Sequence, residues 1–434
     1  MKILIQGGRI IDPQSGLDAV GDVIVVNGRI AALGTALSQY QSSLQADFKA
    51  DKVIDASGCW VIPGLVDLNA RLGEPGGEHA HMLQSELAAA GAGGVTSVVC
   101  PPDTAPVLDE PGLVEMLKFR AQKRHAARVF PLGALTRGLK GEALTAMVEL
   151  ADAGCVGFGQ ADVPVVNTLT LQRALQYAAT HGYTTWLRPQ DAWLGTGIAA
   201  SGAYATRFGL SGIPVMAESI ALQTIFDLQR STGARVHLQR ISSATGVALV
   251  RAAKQEGLPV TADVSMNSLF LVDNDIGFFD SRMRLSPPLR GSRDREALRA
   301  ALLDGTLDAI VSDHTPVSED GKALPFAEAE VGATGLELLL NLTLRWAEEA
   351  RLLTAQALER VSTRPAAVLG KESIGHLSLH GQADVVVFDP RMTWKVEAKN
   401  LVSQGKHTPF SGFEMQGKVK ATVVNGHLAY EHQK

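Results

Sequence analysis

The sequence predicts an α/β protein with a (β/α)8 barrel in the middle and a small β domain built from both chain ends. Three observations support this fold class. The middle of the chain alternates strand-like apolar runs with segments of helical periodicity. Both ends are rich in short strands separated by turn residues. The length of 434 residues suits one large domain and a smaller one.

The two chain ends have the same texture of short strands and turns. Asn27-Gly28, between two of these strands, is a strong hairpin signal. The strands expected in the ends are 2–6, 22–26, 29–32, 52–54, 383–390 and 420–427. We therefore predict that residues 1–58 and 371–434 form one β domain and that residues 59–370 form the barrel.

The middle region contains eight apolar runs of strand length, with helical segments between most of them. The expected strands are 60–68, 95–100, 128–134, 155–158, 184–187, 235–239, 259–264 and 308–311. The expected helices are 113–126, 169–180, 217–232, 244–256 and 294–303. Eight such strands over about 300 residues fit a (β/α)8 barrel, and a doubly wound open sheet is the alternative. The Gly-rich stretch 91–94 precedes a strand, whereas a nucleotide-binding turn follows one.

Composition and charge exclude several classes of partner. The net charge of -5 and the absence of basic runs predict neither nucleic acid nor an anionic membrane as a partner. No apolar run approaches the roughly 20 residues that span a bilayer, and the first residues do not resemble a signal peptide. Cys59, Cys100 and Cys155 lie in apolar runs without metal-ligand spacing, which is typical of buried thiols in a reducing compartment. We therefore expect a cytoplasmic protein.

The stretch 61–76 carries the motif from which function is argued. Pro63-Gly64 interrupts an apolar run, which restarts as a buried strand and ends in polar residues before a Gly/Pro turn. This stretch resembles the first barrel strand of the dihydroorotases, in the amidohydrolase superfamily. Residues 287–290 and 406–409 extend the resemblance along the chain. It implies a β-sandwich for the terminal domain and, as the family activity, zinc-dependent hydrolysis of a cyclic amide.

The positions that carry chemistry in the family hold other residues here. The resemblance places two zinc-binding histidines at Asn69 and Arg71, and a carboxylate-binding arginine at Gly73. The family's substrate-binding asparagine after the second strand corresponds to Asp103. An anion at Asp103 would repel an anionic substrate by about 4 kcal/mol at about 4 Å and an effective dielectric of about 20. We therefore expect no dihydroorotate binding in the usual pose.

The later strands show the same replacement of ligands. By the resemblance, the ligand histidines of the fifth and sixth strands are Arg188 and Arg240. The fourth-strand carboxylated lysine or aspartate aligns with Gln160-Ala161. Asp162 follows directly, so a small slip would restore a carboxylate and the register of this strand stays open. Asp313, on the eighth strand, is the clear survivor of the catalytic set.

These residues are unsuited to zinc, which takes neutral imidazoles, thiolates or carboxylates, usually three of them in a catalytic site. A guanidinium near 4 Å from a dication is repelled by about 8 kcal/mol at the same dielectric, and it does not deprotonate. We therefore expect no zinc and no other cofactor, with Asp313 ion-paired to an arginine. The vestigial pocket, with no catalytic residue, comprises Asn69, Arg71, Gly73, Asp103, Gln160, Arg188, Arg240 and Asp313.

Several other polar residues favour structural interpretations. His79 and His81 follow a turn at a predicted helix start, where residues i and i+2 do not share a face, which favours surface or capping roles. His237 and His314 are expected to be buried and hydrogen-bonded. Glu218 lies near a helix start, where a carboxylate interacts favourably with the helix dipole.

The resemblance is greatest to inactive dihydroorotase homologues and implies a non-catalytic, structural role. In some bacteria such a chain is the non-catalytic partner of aspartate carbamoyltransferase. We therefore expect a hetero-oligomer with the catalytic chain of that enzyme in pyrimidine biosynthesis, with homo-oligomer contacts as well. One alternative is an active cyclic amidohydrolase with one metal held by His237, His314 and Asp313. The other is a metal-free module that binds a small anion through the three aligned arginines.

Overall fold

The computed structural model describes residues 1–34, 49–124 and 126–432, and it has a mixed α/β architecture. Its strands are β1 (Lys2–Asp12), β2 (Leu17–Val26), β3 (Arg29–Gly34), β4 (Lys52–Asp55), β5 (Trp60–Pro63), β6 (Leu65–Asp67), β7 (Val95–Cys100), β8 (Arg128–Pro131), β9 (Gly133–Ala134), β10 (Phe158–Gly159), β11 (Thr184–Leu187), β12 (Ala199–Ala200), β13 (Gly212–Ile213), β14 (Arg235–Leu238), β15 (Val260–Ser265), β16 (Ala309–Val311), β17 (Val385–Lys395), β18 (Glu414–Val424) and β19 (His427–Glu431).

Helices lie mainly between the strands of the middle region. They are α1 (Leu83–Ala92), α2 (Pro111–Gln122), α3 (Met147–Ala153), α4 (Thr168–His181), α5 (Ala203–Phe208), α6 (Met216–Thr232), α7 (Ala244–Glu256), α8 (Met266–Phe270), α9 (Ser292–Leu303), α10 (Glu319–Ala323), α11 (Leu339–Glu349), α12 (Thr354–Glu359) and α13 (Thr363–Val368). Within the described ranges, no helix is both long and apolar enough to cross a membrane.

One sheet combines strands from both ends of the chain. Its order is β19-β18-β17-β5-β1-β2-β3, and β4 also pairs with β1. Buried aliphatic side chains from both ends, such as Ile3, Ile10 and Val385, pack into one cluster beside this sheet. The division of the chain into residues 1–58 with 371–434 and residues 59–370 stays a prediction.

The predicted strand 60–68 is divided between two sheets. β5 pairs with β1 and β17, whereas β6 pairs with β7. Pro63 ends the first segment, and a Cβ on Gly64 would lie only 2.2 Å from Thr96 Oγ1. The expected range 60–68 therefore holds two strands, divided at the Pro63-Gly64 interruption noted in the sequence, where the chain passes from the terminal sheet into the middle region.

Two parallel arrays make up the middle region. One has the order β6-β7-β8, and the other has the order β9-β10-β11-β14-β15-β16. The predicted strands 95–100 and 184–187 are confirmed as β7 and β11, whereas the strand predicted at 155–158 begins only at Phe158. Since the carboxyl ends of parallel strands meet on one side, the segments after β10, β11, β14 and β16 lie on one side of the larger array. A parallel bridge between Ala70 and His314 brings the segment after β6 to the same side.

The three cysteines are free thiols in the described structure. Cys59 and Cys100 are buried, as the sequence predicts, and Cys155 is half-buried. Burial raises the pKa of Cys100 and Cys155 to about 12, so both thiols stay protonated near neutral pH.

Candidate functional site

Three arginines converge on Asp162 beyond the carboxyl ends of the parallel strands. Arg240 Nη2 donates to Asp162 Oδ1, Arg71 Nη2 lies 3.1 Å from Oδ2, and Arg188 Nη1 lies 3.4 Å from Oδ1. We call Arg71, Arg188 and Arg240 the arginine cluster. Burial alone would raise the pKa of Asp162, but the three guanidiniums hold that pKa well below its usual range.

Arg240 also pairs with a second carboxylate, that of Asp313, through its other terminal nitrogen. Arg240 Nη1 lies 3.1 Å from Asp313 Oδ1, so the structure contains the ion pair expected between Asp313 and an arginine. Asn69 Nδ2 donates to the same oxygen at 3.0 Å. Burial raises the pKa of Asp313, although Arg240 acts in the opposite direction. Asn69 and Asp313 therefore form one hydrogen-bonded unit with the arginine cluster.

Asp103 is paired rather than free. Arg71 Nε and Nη2 both donate to Asp103 Oδ2, at 2.9 and 2.8 Å, and Arg71 Nη1 donates to Thr315 Oγ1 at 2.9 Å. The repulsion expected between Asp103 and an anionic substrate is therefore reduced, because Arg71 pairs with this carboxylate. A cavity of about 160 Å³ lies beside these groups.

Gly73 lies apart from the ion pairs. Its backbone is left-handed, with φ of 78°, and a Cβ there would lie 2.1 Å from the carbonyl oxygen of His81. Glycine is therefore required by the path of the chain at this position.

The structure places Asp162, and not Gln160, among the arginines. Gln160 is buried, and its amide bonds to Thr136 Oγ1 and to the carbonyl of Leu139 within the described residues. Gln160 is therefore not part of the ion-paired group, and Asp162, which the open register of this strand allows, takes that place. The intervening Ala161 has φ of 50°, and this left-handed turn directs Asp162 toward the arginine cluster.

Three non-glycine residues at these strand ends have left-handed backbones: Ala161, Arg240 and Asp313, with φ of 50°, 55° and 53°. Such conformations are uncommon for residues with a Cβ and persist where the surrounding structure enforces them. The backbone N–H of Arg240 donates to Asp263 Oδ1 at 2.7 Å, which contributes to that enforcement. The backbone is thus strained at these three positions, which follow the carboxyl ends of the parallel strands.

His237 and His314 are buried and hydrogen-bonded, as the sequence predicts. His237 bonds to Thr261 Oγ1 at 2.8 Å and to Asp263 Oδ2 at 2.9 Å. His314 Nε2 lies 2.8 Å from Glu86 Oε2, and its Nδ1 accepts from the backbone N–H of Gly335 at 3.0 Å. Both ring nitrogens of each histidine are engaged, so neither is available to the one-metal site considered with Asp313.

Glu218 interacts with the helix that follows its own. It lies in the first turn of α6, but its carboxylate accepts from the backbone N–H groups of Ser242 at 2.8 Å and Ser243 at 3.1 Å, next to the start of α7. Both serine hydroxyls also donate to it. The expectation of a carboxylate at a helix start is confirmed, but the helix that it serves is α7.

His79 and His81 precede α1, which begins at Leu83. His79 is exposed, whereas the side chain of His81 is buried. No hydrogen-bond partner of either His81 ring nitrogen lies in the described residues. Burial lowers the pKa of His81. The surface or capping role expected for this histidine is therefore wrong, because it packs against the turn at Gly73.

Comparisons with known proteins identify the family. A dihydro-orotase-like family model matches residues 58–245, and an amidohydrolase family model matches residues 216–429. A dihydroorotase-like protein of Pseudomonas putida is 42% identical over 99% of each chain. A dihydroorotase of Geobacter sp. (strain M21) is 39% identical over 99% of this chain and 100% of the relative. The chain belongs to the dihydroorotase-like family.

The fold agrees with this membership. The solved structure of the L-hydantoinase (dihydropyrimidinase) from Arthrobacter aurescens has a TM-score of 0.86 at 23% identity, covering 100% of this chain and 96% of that chain. The dihydroorotase-like chain therefore has an amidohydrolase-type fold.

The residues at the carboxyl ends of the strands do not fit the zinc that the resemblance to dihydroorotases implies. A dication beside Asp162 or Asp313 would lie within a few ångströms of guanidiniums, each of which repels it by about 8 kcal/mol at about 4 Å. Among the described residues, no group of three or more His, Cys, Asp or Glu side chains is arranged to hold a metal ion. The two aspartates are already paired with fixed cations of the chain itself.

Proposed function

We propose that this dihydroorotase-like chain is a catalytically inactive homologue. It serves as a non-catalytic structural subunit of the aspartate carbamoyltransferase complex in de novo pyrimidine biosynthesis, in the cytoplasm. The observation that carries the proposal is the arginine cluster, which pairs with Asp162 and Asp313 at the strand ends where the family's metal ligands align. The name of the Pseudomonas putida relative, a dihydroorotase-like protein, agrees with a departure from ordinary dihydroorotases.

We also propose that the two parallel arrays close into a (β/α)8 barrel. Leu132 alone separates β8 from β9, so the arrays are continuous in the chain at that point. At the other edges, Ala70 forms a parallel bridge with His314, and Arg71 N–H donates to His314 O at 2.8 Å. These two junctions favour a closed ring over the doubly wound open sheet.

The inactivity is tested on protein purified without chelators. We expect zinc, manganese and iron well below one equivalent per chain, and dihydroorotate hydrolysis at the background rate. The physical reason is charge, because the arginine cluster occupies the sites where cations would bind. One or two equivalents of metal together with turnover would refute the proposal.

The partner is tested by co-expression with the aspartate carbamoyltransferase catalytic chain of the same organism. We expect the two chains to co-purify in fixed stoichiometry and to elute together in size-exclusion chromatography. An unrelated barrel protein with the same affinity tag serves as the control. Separate elution of two well-folded chains at micromolar concentration would contradict the structural role.

An active cyclic amidohydrolase is the second candidate, favoured by the name dihydroorotase given to relatives of 38–39% identity. This candidate requires a metal that displaces Arg188 or Arg240 from Asp162. It predicts turnover of a cyclic amide that Asp313→Ala abolishes. The inactive homologue predicts no turnover in either protein, so one assay of the pair separates the candidates.

A further inference from the structure

We propose that the cavity beside Arg188 binds a small amphipathic anion, namely an aromatic or branched aliphatic carboxylate. The carboxylate would pair with the Arg188 guanidinium, and the hydrocarbon part would fill the cavity between α4 and α6. This ligand site goes beyond the structural role proposed above and does not depend on it.

Arg188 has fewer acceptors than the other two members of the arginine cluster. Arg71 bonds to Asp103, Thr315 and Asp162, and Arg240 bonds to Asp162, Asp313 and Ser286 in the described structure. In the same residues, Arg188 makes one contact, of 3.4 Å, with the oxygen of Asp162 that Arg240 also uses. Its side chain is only 7% exposed. A guanidinium with five N–H donors and one described acceptor therefore has donors left for a ligand.

The cavity next to Arg188 has a volume of about 250 Å³. An apolar cavity of about 150 Å³ holds benzene, so this volume suits one ring or branched chain with a short arm. Most of its lining is hydrocarbon, contributed by the segment after Gln160, by α4, by the end of β11 and by α6. The apolar lining residues are Ala161, Val163, Pro164, Val165, Val166, Leu171, Leu187, Ala192, Trp193, Ile220, Ala221 and Ile225.

The other large polar side chains in the lining are already engaged. The amide of Gln160 bonds to Thr136 and Leu139. Gln190 Nε2 donates to the carbonyl of Gly195 at 3.2 Å. Asp191 Oδ1 accepts from the backbone N–H groups of Trp193 and Leu194, at 3.0 and 2.8 Å. Arg188 is thus the charged group of the lining with donors left for a ligand.

Four of the apolar side chains that line the cavity are also exposed to solvent. Val163, Val166, Trp193 and Ile220 are 43%, 62%, 77% and 42% exposed. Contiguous exposed apolar surface marks binding grooves, and here it leads to a buried cation. Trp193 lies on the turn held by Asp191, where its ring can cover the hydrocarbon part of a ligand.

The chemistry of the lining selects the class of ligand. A guanidinium matches the two oxygens of a carboxylate in a bidentate geometry, and the low dielectric of a buried site strengthens the pair. Polar rings with several donors and acceptors would leave those groups unsatisfied against apolar walls. A cation would be repelled by Arg188. An apolar carboxylate satisfies both the walls and the guanidinium.

The test is binding of 3-phenylpropionate to the isolated full chain, measured by ligand-observed NMR and by isothermal titration calorimetry. We expect saturable binding, weakened at least tenfold by Arg188→Met and equally weakened when the neutral probe 3-phenylpropionamide replaces the acid. Arg251→Met is the matched control, because Arg251 pairs with Asp304 at the surface and lies outside this cavity. It should bind like the wild type.

Ala221→Phe provides a second variant that changes no charge. Ala221 lines the cavity from α6, so a ring at this position would occupy the space of the ligand and abolish binding. Absence of saturable binding up to about 10 mM would overturn the proposal, since that concentration would detect affinities of only about 3 kcal/mol. Unchanged affinity in both folded variants would also overturn it. The measurement uses no transferase chain, so its failure is distinct from failure of the structural role.

Discussion

The buried polar groups of this chain fall into two regions that differ in how completely they are paired. In the first, Glu86 accepts from His314, Ser403 and the backbone of Gln404, and Glu218 accepts from two serines. In the arginine cluster, three guanidiniums share the two oxygens of Asp162. The hydrogen bonds of Glu86 and Glu218, which we call the closed networks, are therefore satisfied by the chain itself, whereas the arginine cluster has more donors than acceptors.

The two regions also differ in what their charges do. Glu86 and Glu218 connect segments that are far apart in sequence, so their hydrogen bonds fix the helices against the strand ends. The cluster instead places three cations around the carboxylate of Asp162. The three guanidiniums share Asp162 as a counter-ion. Substituting the charged residues one at a time therefore shows which ion pairs stabilise the fold.

The largest expected effect comes from Asp162→Asn, which breaks the cluster. The change leaves Arg188 without its described ion pair, while Arg71 keeps Asp103 and Arg240 keeps Asp313. Uncompensated buried charge of this kind lowers the free energy of unfolding by about 3–5 kcal/mol, and we expect about 4 kcal/mol in urea denaturation at pH 7.

Asp304→Asn is the control for this prediction, because Asp304 pairs with Arg251 at the surface. Exposed pairs of that kind contribute about 0–1 kcal/mol. If both substitutions lower the free energy of unfolding equally, Asp162 stabilises the fold no more than a surface ion pair does.

The next largest effect is expected for Glu86→Gln, which tests the closed network. Burial alone would raise the pKa of Glu86, but His314 and two serine hydroxyls lower it to about 2. A carboxyl whose pKa is lower in the folded than in the unfolded chain stabilises above about pH 4.5 and loses that contribution as pH falls toward about 2. We expect Glu86→Gln to lower the free energy of unfolding by about 3 kcal/mol at pH 7.

The pH dependence distinguishes this network from simple packing. The difference in unfolding free energy between wild type and Glu86→Gln should shrink steadily between pH 5 and pH 2.5, as measured by urea denaturation. A difference that stays constant over this range would mean that the hydrogen bonds, and not the charge, account for the loss.

The two regions were predictable from the sequence to different degrees. The ion pair of Asp313 with an arginine follows from residue types at aligned strand ends, and the structure contains it in Arg240. The place of Asp162 did not follow, because it depends on the left-handed backbone of Ala161, for which alanine gives no local signal. The same limit applies to Glu218, since its partners lie 24 and 25 residues further along the chain.

Sheet membership shows the same division between local and non-local information. Turn residues and apolar runs predicted the strands near 95–100 and 184–187, where one sheet takes the whole run. The run 60–68 is counted as one expected strand although Pro63-Gly64 interrupts it, because apolar periodicity does not report which sheet pairs with each part. Its division at Gly64 depends on the approach of Thr96, which lies on a neighbouring strand.

A smaller effect is expected for Gly73→Ala, which tests the turn that packs against His81. The backbone φ of 78° and the 2.1 Å approach of a Cβ to His81 O both oppose a side chain. We expect a loss of about 2 kcal/mol, measured by thermal and urea unfolding. Gly16→Ala is the matched control, with φ of 73° and open space around its Cβ, and it should lose only about 1 kcal/mol. If Gly73→Ala and Gly16→Ala lower the free energy of unfolding equally, the left-handed φ alone accounts for the loss and the contact with His81 does not contribute.

The smallest effect is expected for His81→Leu, a buried residue close enough to Glu86 to interact with its charge. His81 is buried, and its ring nitrogens have no hydrogen-bond partner in the described residues, so an apolar side chain of similar size removes a burial penalty. Stability at pH 7.5 should change by less than about 1 kcal/mol.

Burial lowers the pKa of His81, so the folded chain keeps the ring neutral while the unfolded chain protonates it below about pH 6.5. Wild type should therefore lose stability relative to His81→Leu as pH falls from 7.5 to 5. If the unfolding free energies of the two proteins change in parallel with pH, the His81 ring is hydrated in solution and is not part of the buried surroundings of Glu86.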